Sequence, residues 1–362
     1  MKKIFMPFKI KDMEVKNRFV RSATYEFISE GDFVNEQLIN TYRNLARNEI
    51  GLIITGNFAV HPRGKLSKYQ YSIYDNQFVE DIERLVDAVH EHESKIFIQL
   101  SHAGRQTKEK FTGGKIVAPS CIPSAIYKDE PIELGDEGIY EIIDAFALGA
   151  YRAKLAGADG IQLHGAHGYL IHQFLSPITN KRQDEWGGSL ENRMRFLLEI
   201  IKACRKEVGE DYIIGIKLSS EDLLEEGLTS DDAILIAKIL EQNGIDFMEI
   251  SGGLPETAES SPIRTKIIAG KNEGYFIEAA CKIRQNMTIP VSVVGGFRSL
   301  EFMNRLIEEE GFDMISLSRP FIAEPDLIEK FKRELSDKSK CISCNKCFDP
   351  KGMCCKVHFQ LT

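Results

Sequence analysis

The chain has 362 residues and a formal net charge of −8, with 43% hydrophobic and 28% charged residues. This composition is typical of a globular protein with an ample core, and no apolar run approaches the roughly 18 residues of a membrane span. The acidic balance, without a basic block interleaved with aromatic residues, argues against nucleic-acid binding. The apolar stretch behind Lys2 and Lys3 ends within a few residues, so we predict no secretory signal and a cytoplasmic location.

Short apolar runs alternate along the chain with longer segments in which apolar residues recur every three or four positions. The short runs predict eight strands, at residues 18–20, 50–54, 96–100, 160–163, 212–218, 245–250, 291–294 and 314–317. Eight strand-then-helix units with nearly continuous apolar strands favour a (β/α)8 TIM barrel. An open doubly wound sheet is the main competitor.

Helical periodicity follows several of these runs, for example over residues 78–89 and 194–201. The helix with the clearest ends has Thr229 or Ser230 as its N-cap and ends at Asn243-Gly244. We therefore predict that residues 1–335 form one barrel domain, followed by a cysteine-rich tail at 336–362. Residues 3–16 are expected to form a hairpin under the barrel, and residues 101–137 a lid loop on its rim.

Polar residues recur where the predicted strands end. They are Gln99, His164, Lys217, Ser251, Gly295-Gly296 and Ser318-Arg319. In TIM barrels the C-terminal rim carries the functional site. A doubly wound sheet would instead bind ligands at one switch point, and no G-x-G-x-x-G follows an early strand. The distribution therefore favours the barrel.

His164, His167 and Tyr169 follow directly after one predicted strand. Two imidazoles can donate hydrogen bonds to one substrate oxygen, and a phenol beside them can deliver a proton. Taken alone, a His-x-x-His pair is more often an ordinary loop feature, and a zinc-dependent hydrolase would need a third ligand. Its position at a strand end, among other polar rim residues, favours carbonyl activation followed by protonation.

The last two predicted strands end in Gly295, Gly296, Ser318 and Arg319. Backbone amides freed by glycine, together with a guanidinium, predict a phosphate site. Gln99 offers a donor and an acceptor to an imide-like edge, and Lys217 places a cation where negative charge develops. A flavin ring has both an edge with hydrogen-bond donors and acceptors and a position where negative charge develops on reduction.

Four separate segments carry a resemblance to the old yellow enzyme family of FMN-dependent NADH:flavin oxidoreductases and ene-reductases. They are residues 17–24, 99–105, 164–177 and 184–193. The resemblance spans nearly all of residues 1–335 and implies an FMN-bearing (β/α)8 barrel. It implies that the ring is surrounded by Ser22, Ala23, Thr24, Asn57, Gln99 and Lys217, and that the phosphate is held by Gly296, Ser318 and Arg319.

The resemblance also implies a reaction. NAD(P)H gives hydride to flavin N5, which returns it to the β-carbon of an activated alkene. His164 and His167 bind the carbonyl oxygen, and Tyr169 protonates the α-carbon. Reduction of nitro or other electron-poor groups, and a flavin-binding electron carrier without catalysis, are the alternatives. Members of the family often associate, so a homo-oligomer is expected.

Five cysteines crowd the tail: Cys341, Cys344, Cys347, Cys354 and Cys355. The first three resemble in part the iron-sulfur segment of the 2,4-dienoyl-CoA reductase branch, which spaces its second and third cysteines one residue wider. Three interpretations stay open: a Fe4S4 or zinc site that uses Cys354 or Cys355, a tail of free thiols, or a vestige of a lost domain. With a cluster, an external electron donor could replace NAD(P)H in a dienoyl or enoyl reductase.

Overall fold

The computed structural model describes residues 2–29, 31–349 and 352–358. Its centre is a closed barrel of eight parallel strands, in the order β3-β4-β5-β8-β9-β10-β11-β12. In chain order the strands are β1 (Phe8–Ile10), β2 (Met13–Val15), β3 (Phe19–Arg21), β4 (Leu52–Ala59), β5 (Lys95–Ser101), β6 (Val117–Ala118), β7 (Ile132–Glu133), β8 (Gly160–Gly165), β9 (Ile213–Ser219), β10 (Phe247–Ser251), β11 (Val291–Val294) and β12 (Met314–Leu317). The predicted (β/α)8 barrel is confirmed.

Helices follow each barrel strand and form the outer layer. They are α1 (Glu36–Arg47), α2 (Val79–His90), α3 (Glu109–Thr112), α4 (Asp136–Leu155), α5 (Leu170–Leu175), α6 (Leu190–Val208), α7 (Ser230–Gln242), α8 (Ile277–Arg284), α9 (Leu300–Glu308), α10 (Arg319–Ala323) and α11 (Leu327–Lys332). Thr229 caps α7 in a reciprocal capping box with Asp232, as its sequence predicts. No helix in the described part of the chain is long and apolar enough to cross a membrane.

One strand is longer than its apolar run predicts. The run indicated a strand over residues 50–54, whereas β4 continues to Ala59. A register shift between Ile54 and Asn57 lets Asn57 pair with Gln99 on β5. The extension is hidden in the sequence because Gly56 and Asn57 are not typical strand residues. Its consequence is that Asn57 reaches the C-terminal rim of the barrel.

The predicted hairpin is present and closes the lower end of the barrel. β1 pairs with β2 in antiparallel register, Phe8 opposite Val15. Ile10 and Val15 are fully buried and join the apolar cluster inside the barrel with Val20, Leu52 and Phe97. A second and larger cluster lies between the strands and the outer helices. Apolar side chains therefore fill the end of the barrel nearest the hairpin.

Residues 101–137, here called the rim segment, contain α3 and a small parallel pair, β6 with β7. Arg105 is buried in this segment and forms an ion pair with Glu256 in the loop after β10. Tyr127 lies close enough to Tyr169 to raise the pKa of that phenol, although burial contributes more. No described residue of the rim segment lines the cavity presented below, so its role as a lid stays a prediction.

The cysteine-rich tail packs against the top of the barrel. Ser339 N donates a 2.9 Å hydrogen bond to the Arg298 carbonyl, and Leu300 N donates one of 2.9 Å to the Asp337 carbonyl. Met353 N donates a 3.0 Å hydrogen bond to the carbonyl of Glu26. These contacts place the tail beside the loops that follow β3 and β11.

Candidate active site

A cavity opens at the C-terminal ends of the barrel strands. It brings together nearly all of the residues predicted for catalysis and cofactor binding, which are Ser22, Ala23, Thr24, Asn57, Gln99, His164, His167, Tyr169, Lys217, Gly296, Ser318 and Arg319. Gly295 is the predicted residue that does not line it. Gly295 instead accepts a 2.7 Å hydrogen bond from Gly274 N, in the loop before α8.

The segment after β3 forms one wall of the cavity. Lys217 Nζ, from β9, donates to Ser22 Oγ at 2.8 Å. Thr24 Oγ1 lies 2.8 Å from Ser318 Oγ and so links the loops after the first and last barrel strands. The cation of Lys217 is thus held at the cavity although its side chain is 4% exposed.

A buried ion pair lies beneath this wall. Arg21 Nη2 donates to Glu26 Oε1 at 3.0 Å, and Tyr42 Oη donates to the same oxygen at 2.8 Å. Burial raises the pKa of Glu26, while Arg21 and Tyr42 act in the opposite direction. Neither Glu26 nor Tyr42 was identified from the sequence, where each looks like an ordinary loop or helix residue.

Three side chains that line the cavity carry a buried polar atom without a hydrogen-bond partner among the described residues. They are Asn57 Oδ1, His164 Nδ1 and Arg298 Nε. The amide nitrogen of Asn57, unlike its oxygen, does have a hydrogen-bond partner, because it donates to Ser101 Oγ at 3.2 Å. Buried polar atoms without partners are costly and rare. Asn57 Oδ1 and His164 Nδ1 are therefore available to a polar ligand in this cavity.

The opposite end of the cavity is formed by Gly296, Ser318 and Arg319. Gly296 has φ of +75°, and a Cβ built on it would lie 2.6 Å from Tyr275 Cε1. Glycine is thus required here both for its backbone conformation and for space. Arg319 Nη1 donates at 2.7 Å both to the Arg264 carbonyl and to Asn345 Oδ1 in the tail.

The rings of His164, His167 and Tyr169 form one group. The centroids of His164 and His167 are 5.5 Å apart with perpendicular planes, and those of His164 and Tyr169 are 4.3 Å apart. His167 Nε2 lies 2.7 Å from Ser251 Oγ at the end of β10. The predicted trio is therefore assembled, and Ser251 holds one of its rings.

Burial sets the protonation states of this trio. Burial, and then the nearby cation of Lys217, lower the pKa of both His164 and His167 well below 6.5. Burial also raises the pKa of Tyr169 above 10. At neutral pH the site thus offers two neutral imidazoles as hydrogen-bond donors and a protonated phenol as an acid.

A left-handed turn presents His167 and Tyr169 to the cavity. His167 has φ of +60° and Gly168 φ of +76°. The positive φ at His167 is unusual for a residue with a side chain and implies that surrounding contacts hold the turn. Those contacts involve His172 and Asp222, which the sequence did not single out.

Four of the five tail cysteines line a second, smaller cavity behind Arg319. They are Cys341, Cys344, Cys347 and Cys355, and Cys354 is not among them. All five are free, and burial raises the pKa of Cys347 to about 11. Across residues 2–29, 31–349 and 352–358, no three His, Cys, Asp or Glu side chains are grouped so as to hold a metal ion. Ser343 and Phe348 of the same segment line the main cavity.

The fold and the site together point to a flavin-dependent barrel oxidoreductase. The barrel is closed and parallel, and its rim carries two neutral imidazoles, a phenol, a lysine, a glycine and an arginine. The family model for NADH:flavin oxidoreductase / NADH oxidase matches residues 3–338. The chain belongs to this family, which confirms the resemblance to the old yellow enzymes.

Relatives support this assignment. The chain is 39% identical over 348 residues to the NADH oxidase of Thermoanaerobacter brockii, covering 94% of this chain and 52% of that protein. It is 36% identical to the NADPH dehydrogenase of Listeria monocytogenes serotype 4a, covering 93% and 96% of the two chains. The chain thus spans about half the length of the first relative and almost all of the second.

Two solved structures share the fold. One is 2-naphthoyl-CoA reductase in complex with 2-naphthoyl-CoA, with a TM-score of 0.87 and 30% identity over 92% of this chain and 52% of that one. The other is an old yellow enzyme homologue from Zymomonas mobilis, with a TM-score of 0.81 and 26% identity over 94% and 95% of the two chains.

Proposed function

We propose that this protein binds FMN and transfers hydride from NAD(P)H to the β-carbon of an α,β-unsaturated carbonyl compound. The observation that carries the proposal is the convergence of His164, His167 and Tyr169 on a cavity that Gln99 and Lys217 also line. In the proposed reaction this cavity would combine hydrogen-bond donors for an oxygen, a proton source and a site for a flavin edge.

The residues of the cavity fit FMN. Gln99 and Asn57 supply amide groups suited to the donor and acceptor atoms of a flavin edge, and Lys217 supplies a cation. The unpartnered Asn57 Oδ1 would gain a donor from such a ligand. At the other end, Gly296, Ser318 and Arg319 would hold the phosphate through backbone, hydroxyl and guanidinium donors.

When bound, FMN would supply the two-electron chemistry that links NAD(P)H to the alkene. His164 and His167 would donate hydrogen bonds to the carbonyl oxygen, where negative charge grows as the β-carbon is reduced. Donors of this kind typically lower a barrier by about 2.7–4 kcal/mol each. Because both imidazoles are neutral, they stabilise that charge without losing a proton.

Tyr169 would complete the reduction by giving the proton of its Oη to the α-carbon. Its raised pKa keeps that proton on the phenol at neutral pH. A positioned general acid typically contributes about 10²–10⁴-fold to the rate. His164 and His167 would thus hold the acceptor, and Tyr169 would supply the proton.

The relatives support a conjugated acceptor and a nicotinamide donor. One structural neighbour is a reductase seen with 2-naphthoyl-CoA, whose acyl group is conjugated with an aromatic ring. Two relatives carry NADH and NADPH in their names. Nitro compounds are the second acceptor class we propose, since their oxygens would meet the same two imidazoles. Association into a homo-oligomer stays a prediction.

The tail suggests another electron source. Cys341, Cys344, Cys347 and Cys355 surround one cavity, and Arg319 lines both this cavity and the main one. A Fe4S4 cluster or a zinc ion there stays a prediction, since the thiols are not arranged as a ligand group. Iron, sulfide and zinc analysis of anaerobically purified protein decides it. Stoichiometric iron and sulfide would support an external electron donor, and metal-free protein would leave NAD(P)H as the donor.

The direct test is an anaerobic absorption experiment on the purified protein. We expect flavin bands that bleach on addition of NADPH or NADH and return on addition of 2-cyclohexenone, with cyclohexanone as the product. Tyr169→Phe should still bleach but should recover far more slowly. A protein that cannot be loaded with FMN, or whose reduced flavin is indifferent to the enone, would refute the proposal.

A further inference from the structure

Below the cavity, four buried polar side chains cross the inside of the barrel. They lie on neighbouring strands: Gln99 on β5, Gln162 on β8, Lys217 on β9 and Glu249 on β10. Gln162 and Glu249 have no exposed surface, and Gln99 and Lys217 are 2% and 3% exposed. Gln99 is opposite Gln162 in the sheet, and Glu249 is opposite Lys217. The chemistry proposed above makes no use of Gln162 or Glu249.

The hydrogen bonds among these residues run in one direction. Gln162 Nε2 donates to Glu249 Oε2 at 3.0 Å, and Gln99 Nε2 donates to Gln162 Oε1 at 2.7 Å. An ionised carboxylate can only accept, so Glu249 determines which end of the Gln162 amide faces it. Gln162 in turn determines the orientation of Gln99, whose Oε1 is left to accept from a ligand in the cavity.

Glu249 also balances the charge of Lys217. Glu249 Oε2 lies 3.3 Å from Lys217 Nζ, and both side chains are almost completely buried. Lys217 also donates to Ser22 Oγ at 2.8 Å, on the cavity wall. A buried cation favours negative charge nearby, and a buried carboxylate this close opposes it. A ligand beside Lys217 therefore experiences the combined electrostatic field of Lys217 and Glu249, which is weaker than the field of the lysine alone.

We propose that Glu249 is a positioning residue that orients Gln99 through Gln162 and lowers the reduction potential of the bound flavin by offsetting Lys217. The inference rests on the FMN binding in the proposed function but does not depend on the acceptor. Its two parts are separable, because one acts through hydrogen bonds and the other through charge.

The charge part is tested by the reduction potential of the FMN-loaded protein, measured by equilibrium titration against a redox dye. Glu249→Gln removes one negative charge, and we expect at least a tenfold shift towards reduced flavin at a fixed potential, which is about 30 mV for a two-electron couple. An unchanged or lowered potential overturns this part.

A second variant covers the case in which Glu249→Gln does not fold with an unbalanced buried lysine. Lys217→Gln combined with Glu249→Gln removes both charges and leaves neither buried alone. If Glu249 offsets Lys217, the two changes act in opposite directions, so the potential of the double variant should lie at least about 30 mV above that of Lys217→Gln alone. A drop as large as that of Lys217→Gln alone would show that Glu249 has no effect.

The orientation part is tested by Gln162→Leu, which interrupts the hydrogen bonds and keeps the Lys217–Glu249 pair. We expect FMN affinity, measured by fluorescence quenching, to fall at least threefold with no rise in potential. Unchanged affinity overturns this part. If wild-type protein recovers its flavin colour with enone, and Glu249→Gln and Gln162→Leu both match it in potential and FMN affinity, only this inference is refuted. Wild-type protein that binds no FMN refutes the proposed function as well.

Discussion

The backbone amide of Gly168 donates a 2.7 Å hydrogen bond to Nδ1 of His172. Nδ1 is therefore the acceptor, and the ring carries its proton on Nε2, which lies 2.8 Å from Asp222 Oδ1. Asp222 Oδ2 accepts from Ser176 Oγ at 2.6 Å and from Leu228 N at 2.7 Å. Burial by itself would raise the pKa of Asp222, but His172 and these hydrogen bonds outweigh it and lower the pKa. Asp222 and His172 together hold the turn between His167 and Tyr169.

Removal of His172 should therefore disturb that turn. His172→Leu leaves Gly168 N and the Asp222 carboxylate without their buried partner, which costs about 1–3 kcal/mol per group. In His172→Gln the new amide can still accept from Gly168 N and donate to Asp222, so we expect a smaller loss of stability. The free energy of unfolding and the single-turnover rate of enone reduction are the measurements. If the two variants behaved alike, the turn would not depend on this hydrogen bonding.

Tyr169→Phe removes the proposed proton donor and little else. We expect enone-driven reoxidation of the flavin to slow by about 10²–10⁴-fold, while reduction by NADPH changes little. Stopped-flow absorbance resolves the two half-reactions. Tyr212→Phe is the matched control, because Tyr212 does not line the cavity and its buried hydroxyl has no partner among the described residues. Equal reoxidation rates in the two variants would exclude Tyr169 as the acid.

Stability should depend on pH through the buried imidazoles. Burial lowers the pKa of His164 well below 6.5, so the unfolded chain binds a proton at this residue where the folded chain does not. Above about pH 6.5 His164 is neutral in both states and does not reduce the free energy of unfolding. As pH falls below 6.5, the free energy of unfolding decreases by at most about 1.4 kcal/mol per pH unit at this residue. His164→Asn should therefore flatten the fall in unfolding free energy between pH 6.5 and 5. Parallel curves for the variant and wild type would show that His164 is not held neutral.

Gly296→Ala separates backbone strain from steric exclusion at the predicted phosphate end. Gly311 is the matched control, with the same φ of +75° but no neighbour within 4 Å of a built Cβ. Gly311→Ala should cost about 1–2 kcal/mol from the left-handed conformation alone. Gly296→Ala should cost more, because its Cβ meets Tyr275, and it should also weaken FMN binding. Calorimetry and FMN titration compare the two. Equal losses of stability with unchanged FMN affinity would show that the cavity does not need glycine here.

The sequence by itself determined the barrel and most of the residues that line the cavity at its rim. Strands and helices are local features, since apolar periodicity and caps such as Thr229 require no distant contact. His164, His167 and Tyr169 lie within six residues of one another, so one short segment carries them. The end of β4 was missed because Asn57 joins the strand only by pairing with Gln99 across a register shift.

Tertiary structure alone decided which distant residues act together. Gln162 and Glu249 are separated by many residues in the chain, yet their side chains are 3.0 Å apart because both strands turn them into the barrel. In the sequence each of the two is recognisable only as a polar residue within an apolar strand, and this pattern does not predict which residue it contacts. The Arg319–Asn345 contact likewise depends on how the tail packs. Hydrogen bonds and charges act over a few ångströms of space, and only folding converts separation along the chain into that proximity.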